Sequence, residues 1–214
     1  MKGTKNMINT KAFSLLLVAV IVSFMGFCIE NIFIGINHGF IDNRNMILPF
    51  LFGYGLTILA IYSLFGTPST PLYFGKPITF ESNFLSTLFY FSVAFLGVCI
   101  GEILLGFATE YSCKIIWWDY TRIPLHITRY TSVPTSLGFA SLITIFMKYL
   151  FDPLINTISK MTPKILFTLT FTLVTLLSAD MINSAMYMLI NNQTLKIWRV
   201  NLDSMSVKIF SYFK

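Results

Sequence analysis

Five long apolar segments, separated by polar or proline- and glycine-rich stretches, limit what this chain can fold into. They fall near residues 12–36, 47–65, 84–111, 132–151 and 164–190. Each is long enough for a helix that crosses roughly 30 Å of hydrocarbon. Lipid offers the backbone no hydrogen-bond partners, so such segments are expected as helices. The expected fold is therefore all-α: a polytopic transmembrane helix bundle of about five spans over residues 1–193. Composition agrees, with 55% hydrophobic and 11% charged residues, where soluble domains carry about 25% charged. So little polar sequence leaves no room for a separate soluble catalytic domain.

The first segment follows Lys2, Lys5 and Lys11, as a signal peptide would. Its length and the lack of a small-x-small cleavage site favour an uncleaved first span. Pro49 falls in the first turn of the second segment, where proline is tolerated. The loop at 66–82, with Pro68, Pro71, Gly75 and Pro77, is expected to be irregular, and the third helix can extend to Ile116. The fourth segment is expected to end at Asp152-Pro153. In the tail, 194–214, Leu195, Ile197, Trp198 and Val200 are interspersed with Lys196 and Arg199. It is too polar to span and is expected as an amphipathic C-terminal helix lying in the interface.

Charge does not orient the bundle. Five spans place seven basic residues on the side of the N-terminus and eight on the other, a difference too small for the positive-inside rule. The net charge of +6 suits anionic lipid headgroups. Scattered along helix ends, these cations do not form the patch that nucleic acid requires. Cys28, Cys99 and Cys113 form no CxxC pair, so structural thiols are expected, with no metal site and no cofactor. Asn192-Gln193-Thr194 fits the glycosylation sequon.

Four acids interrupt the apolar segments: Glu30, Glu102, Glu110 and Asp180. Carboxylates there are costly and face a partner or a cavity. Glu102, Gly106 and Glu110 are four apart and share one helical face, and the glycine leaves room for something to approach it. Asp180, Asn183 and Ser184 form another polar stripe. These acids can bind a cation, relay protons or hold a polar headgroup; the plainer alternative is interhelical hydrogen bonding. Glu110 has Lys114 four residues on, which favours a local surface pair. Gly97 and Gly101 suggest close helix packing.

Trp117 to Ser132 is the polar centre of the chain, with Asp119, Arg122, His126 and Arg129. Trp117, Trp118 and Tyr120 suit the membrane-water interface. The arginines can bind phosphate or carboxylate groups, and pairing with the intramembrane acids is favoured because acids there outnumber bases. No HExxH, GxSxG or phosphate-binding lysine loop is present, and a lone loop histidine is more often solvated than catalytic.

Glu102, Gly106 and Glu110 followed by Trp117-Trp118-Asp119-Tyr120 resemble the ABC-transporter type IV permease family (CmpB-like bacterial membrane proteins). Glu30, Pro49 with Gly53-Tyr54-Gly55, and Asp180 are similar to further family positions, so the resemblance covers roughly 23–185. The chain departs from the family pattern at His126-Ile127-Thr128-Arg129 and lacks a tryptophan expected near Ser136-Leu137-Gly138. The resemblance implies a permease-like transport subunit of the bacterial plasma membrane that works with a separate ATPase. Glu30, Glu102, Glu110, Asp119, Arg122, Arg129 and Asp180 would then form its polar pathway or binding site. In its sharpest form, Arg129 or Arg122 neutralises Glu30, Glu102 and Asp180. The alternatives are a non-catalytic membrane adaptor or sensor, and an intramembrane enzyme using the acids and His126 on lipid-type substrates. A homo-oligomer is compatible with each.

Overall fold

The structure, a computed structural model, describes residues 2–210, with side chains from residue 10 onward. Helices dominate it. Four among the described residues are long and apolar enough to cross a membrane: Thr10–His38 within α1 (Lys2–His38), α3 (Asn83–Cys113), the continuous run Val133–Ile158, and Pro163–Asn191. The chain is an all-α membrane bundle with small strand additions.

The second apolar segment departs from the expected helix. Only α2 (Phe52–Phe65) is helical, and its 14 residues rise about 21 Å. Residues 47–51 ahead of it are irregular. Pro49 has no N–H and biases its predecessor to an extended conformation, and polar side chains from other elements hold the backbone around it. Asp180 accepts from the N–H of Ile47 at 2.9 Å and of Leu48 at 2.8 Å. The Ser23 carbonyl accepts from the N–H of Leu51 at 2.9 Å. Ser23 and Asp180 both lie near the middle of their own apolar helices, so this non-helical segment lies beside the middle of two helices long enough to cross a membrane.

The chain forms two compact units. One comes from its two ends, up to Thr57 and from Ile158. Here α1 runs parallel to the helix Pro163–Asn191, with the Phe13 and Phe167 rings 4.9 Å apart near their starts. Past their ends, β1 (Phe40–Asp42) pairs with a strand over Trp198–Asn201, which pairs in turn with Ser206–Ile209. The tail is thus a β-hairpin in a three-stranded antiparallel sheet, not the expected amphipathic helix; residues 211–214 lie outside the described residues. Within the first of these tail strands Trp198 and Val200 recur at period two, the spacing of a strand. Phe27, Met46 and Leu51 form a buried cluster against Tyr54 and Trp198. Gly55 lets α2 press on α1: a Cβ there would overlap the Ala19 carbonyl.

The middle unit, Ile58–Thr157, is built on α3. After α2 come three short strands, β2 (Gly66–Thr67), β3 (Thr70–Tyr73) and β4 (Lys76–Pro77), where irregular structure was expected. The Ser82 hydroxyl caps α3 by accepting from the Leu85 N–H, and the helix stops at Cys113 because Lys114 turns left-handed at φ 56°. It therefore does not reach Ile116. A hairpin of β5 (His126–Thr128) and β6 (Thr131–Ser132) leads into α4 (Val133–Ile145). α4 lies antiparallel to α3, with Ser136 at Glu102 and Lys148 at Thr87. The helix does not end at Asp152-Pro153. A π-turn, Phe146–Leu150, precedes α5 (Phe151–Ile158), and the Phe151 N–H bonds the Phe146 carbonyl. That wider turn accommodates the missing N–H of Pro153 without ending the helix. Pro163–Asn191 is labelled α6, and the two strands of the tail β7 and β8.

Replacing Asp180, which is 6% exposed, with asparagine offers one acceptor where two partly buried N–H groups each have one now. Asp180→Asn is expected to destabilise the protein by about 1–3 kcal/mol, read as a lower melting temperature in detergent. An unchanged melting temperature would mean these bonds do not hold the segment.

Candidate functional site

Every acid singled out from the sequence meets a protein partner, and the partners form one polar cluster in each unit. In the unit made from the chain ends, Glu30 projects from the last third of α1. Arg44 donates to its Oε2 through Nε at 2.9 Å and Nη2 at 2.7 Å, and the Tyr54 hydroxyl donates to Oε1 at 2.6 Å. Arg44 also reaches Asp42 Oδ1 at 3.5 Å, and Arg199 reaches Asp42 Oδ2 at 3.6 Å. Stacking on Phe40, with 3.9 Å from guanidinium carbon to ring centroid, orients Arg199.

Two asparagines complete this cluster. Asn43 donates to the carbonyls of Met46 at 2.9 Å and Leu195 at 3.0 Å, and accepts from the Ile197 N–H at 3.0 Å. Asn45 accepts from the Leu195 N–H at 2.5 Å. Arg44 and Asn45 both adopt positive φ, 49° and 65°, a conformation asparagine tolerates far better than arginine. The grip on Glu30 holds Arg44 there. The sequence did carry a sign of this cluster: Asp42-Asn43-Arg44-Asn45 is a run of four polar residues between two apolar segments.

In the middle unit, the face predicted from Glu102, Gly106 and Glu110 is real, and the β5–β6 hairpin occupies it. Arg129 Nη1 bonds Glu110 at 3.1 Å and 3.3 Å, and the Tyr130 hydroxyl makes a short bond to Glu110 Oε2. Gly106 seats the Tyr130 ring, which any Cβ there would overlap. One turn further, the Thr131 hydroxyl donates to Glu102 Oε2 at 2.6 Å and Ser136 does so at 3.3 Å. Three consecutive hairpin residues thus meet three positions of α3. The bond to Glu110 raises the Tyr130 pKa above its usual value.

Arg129 therefore pairs with Glu110, whereas the sequence suggested Glu102, Glu30 or Asp180 as its partner. Lys114 does not pair with Glu110. At the left-handed end of α3, its ammonium lies 5.2 Å from the Tyr111 ring centroid instead. Trp118 Nε1 donates to the Tyr130 carbonyl at 2.7 Å and the Tyr120 N–H to the Arg129 carbonyl at 2.8 Å, so the Trp-Trp-Asp-Tyr block braces the hairpin. Trp117 packs on Trp118 with centroids 5.7 Å apart. Asp119 is held below the usual carboxylate range, first by the N–H and then by the hydroxyl of Thr121. Arg122 and His126 are exposed, and the His126 ring contacts the Ile123 carbonyl. Among the described residues, no three His, Cys, Asp or Glu side chains converge to hold a metal ion.

A family model described as "Putative ABC-transporter type IV" (ABC_trans_CmpB) matches residues 17–185. The chain belongs to this family. Both clusters draw mainly on residues within the match, and only the contacts from 195, 197 and 199 fall beyond it. No curated protein and no solved structure matches the chain. Family membership and the apolar helices fit a membrane transport subunit.

If the Glu110–Arg129 pair holds the hairpin, Glu110→Arg and Arg129→Glu should each lower the melting temperature, and the double exchange should recover part of the loss. A double variant no better than the worse single would show that the pair contributes nothing.

Proposed function

We propose that this protein is the membrane-embedded, permease-like subunit of a bacterial plasma-membrane transporter and works with a separate ATP-hydrolysing partner. The observation that carries this is the broken second crossing, whose irregular residues lie at the mid-span depth of Ser23 and Asp180. Irregular backbone at that depth belongs where it is buried in protein or lines a polar cavity, as in the interrupted helices of transporters. Family membership points the same way. On this view Glu30 and Asp180 in one unit, and Glu102 and Glu110 in the other, each hold a non-helical segment against a helix. Arg44 balances the charge of Glu30, and Arg129 that of Glu110.

A second reading is a non-catalytic adaptor. It is favoured by one feature: Glu30, Glu110 and Asp180 are each engaged by protein donors on both oxygens.

Affinity purification of the full chain from native membranes in mild detergent separates the two. The transporter reading expects an ATP-binding protein to co-elute in stoichiometric amount. Recovery of this chain alone, or only with itself, would contradict that reading and leave the adaptor.

A further inference from the structure

The pairing of Glu110 with the hairpin has a consequence for Lys114. The carboxylate predicted to neutralise it is occupied by Arg129 and Tyr130, and no described residue forms a salt bridge with the lysine. Lys114 is one of the residues that line an open groove of about 450 Å³, together with Phe107, Glu110, Tyr111, Ile116 and Tyr130. Phe107 and Tyr111 stack along one wall with centroids 6.1 Å apart, and are 61% and 70% exposed. Ile116, 45% exposed, adds a further apolar side chain to the lining.

Three properties of this groove specify its occupant. It sits where the span Asn83–Cys113 ends and Trp117-Trp118 begins, the level at which tryptophan and tyrosine meet headgroups. Its acid already carries a guanidinium and a phenol, so the charge left for a ligand is the positive one of Lys114. Its walls are apolar and open, which suits a molecule with a chain attached to an anion. We propose that the groove binds an anionic phospholipid, with the phosphate on the Lys114 ammonium and the upper acyl chain against Phe107 and Ile116. The site does not depend on the transport reading, since an adaptor would carry it equally.

The test is native mass spectrometry of the purified full chain, titrated with phosphatidylglycerol or phosphatidylcholine. Phosphatidylglycerol is expected to bind more tightly. Lys114→Gln should weaken it about fivefold, the effect of one basic residue near a charged headgroup, while Lys114→Arg retains it. Lys208→Gln, an exposed lysine of β8, should leave it unchanged, and Phe107→Ser should weaken it with the cation intact. Equal binding of the two lipids, or equal behaviour of the Lys114→Gln and Lys208→Gln variants, would overturn the proposal. Displacement of the lipid by inorganic phosphate at matched concentration would also overturn it, by making the site one for free phosphate.

Discussion

The Asp180 carboxylate, shared between the N–H groups of Ile47 and Leu48, is the interaction on which the unit built from the chain ends depends. A backbone N–H without a partner in hydrocarbon costs several kcal/mol, so a chain can leave helical geometry in a membrane only where other groups replace the helix's own bonds. Asp180 supplies two acceptors in the middle of α6, the Ser23 carbonyl supplies one for Leu51, and the Asn31 side chain one for Asp42. The shortness of α2 follows from this arrangement. So does the need for Gly55, because the chain entering α2 from that depth must lie directly on α1. Asn43 and Asn45 extend the same network to the backbone of residues 195 and 197, just ahead of β7, which pairs with β1.

The middle unit meets the same problem in another way. α3 keeps its helix intact and offers acids outward to a loop. Arg129, Tyr130 and Thr131 answer Glu110, Gly106 and Glu102 in order, and the Trp-Trp-Asp-Tyr block holds that hairpin by its backbone. In both units an intramembrane acid fixes a non-helical segment against a helix. Acids used this way hold each unit together, which is compatible with a transport-family subunit.

Much of this was legible beforehand. Length and apolarity located the spans, and the four-residue spacing of Glu102, Gly106 and Glu110 identified the face that the hairpin covers. The family was recognisable from that face and the Trp-Trp-Asp-Tyr block. The partners were harder to see. Arg44 and Tyr54 lie 14 and 24 residues beyond Glu30, and nothing in local spacing joins them. Lys114 was the obvious partner of Glu110 at helical spacing, but the helix ends one residue before it. The second segment looked like an ordinary span because Ile47 to Leu51 is apolar; its departure from helix depends on Asp180, more than 130 residues away. In the tail, the apolar positions 195, 197, 198 and 200 keep no single period, and the strand is decided by pairing with β1.

Membrane depth at residue 47 tests the broken crossing most directly. A spin label would be placed at Ile47, which is 49% exposed, in a chain whose Cys28, Cys99 and Cys113 are replaced by alanine. Its accessibility to oxygen and to a water-soluble nickel complex would be compared with that of a label at Ile182, two residues along α6 from Asp180. Matching depths, both well inside the hydrocarbon, are expected if Asp180 holds the segment there. A label at 47 found at headgroup depth would mean that residues 47–65 form an ordinary helix starting at the interface, and would contradict the broken crossing.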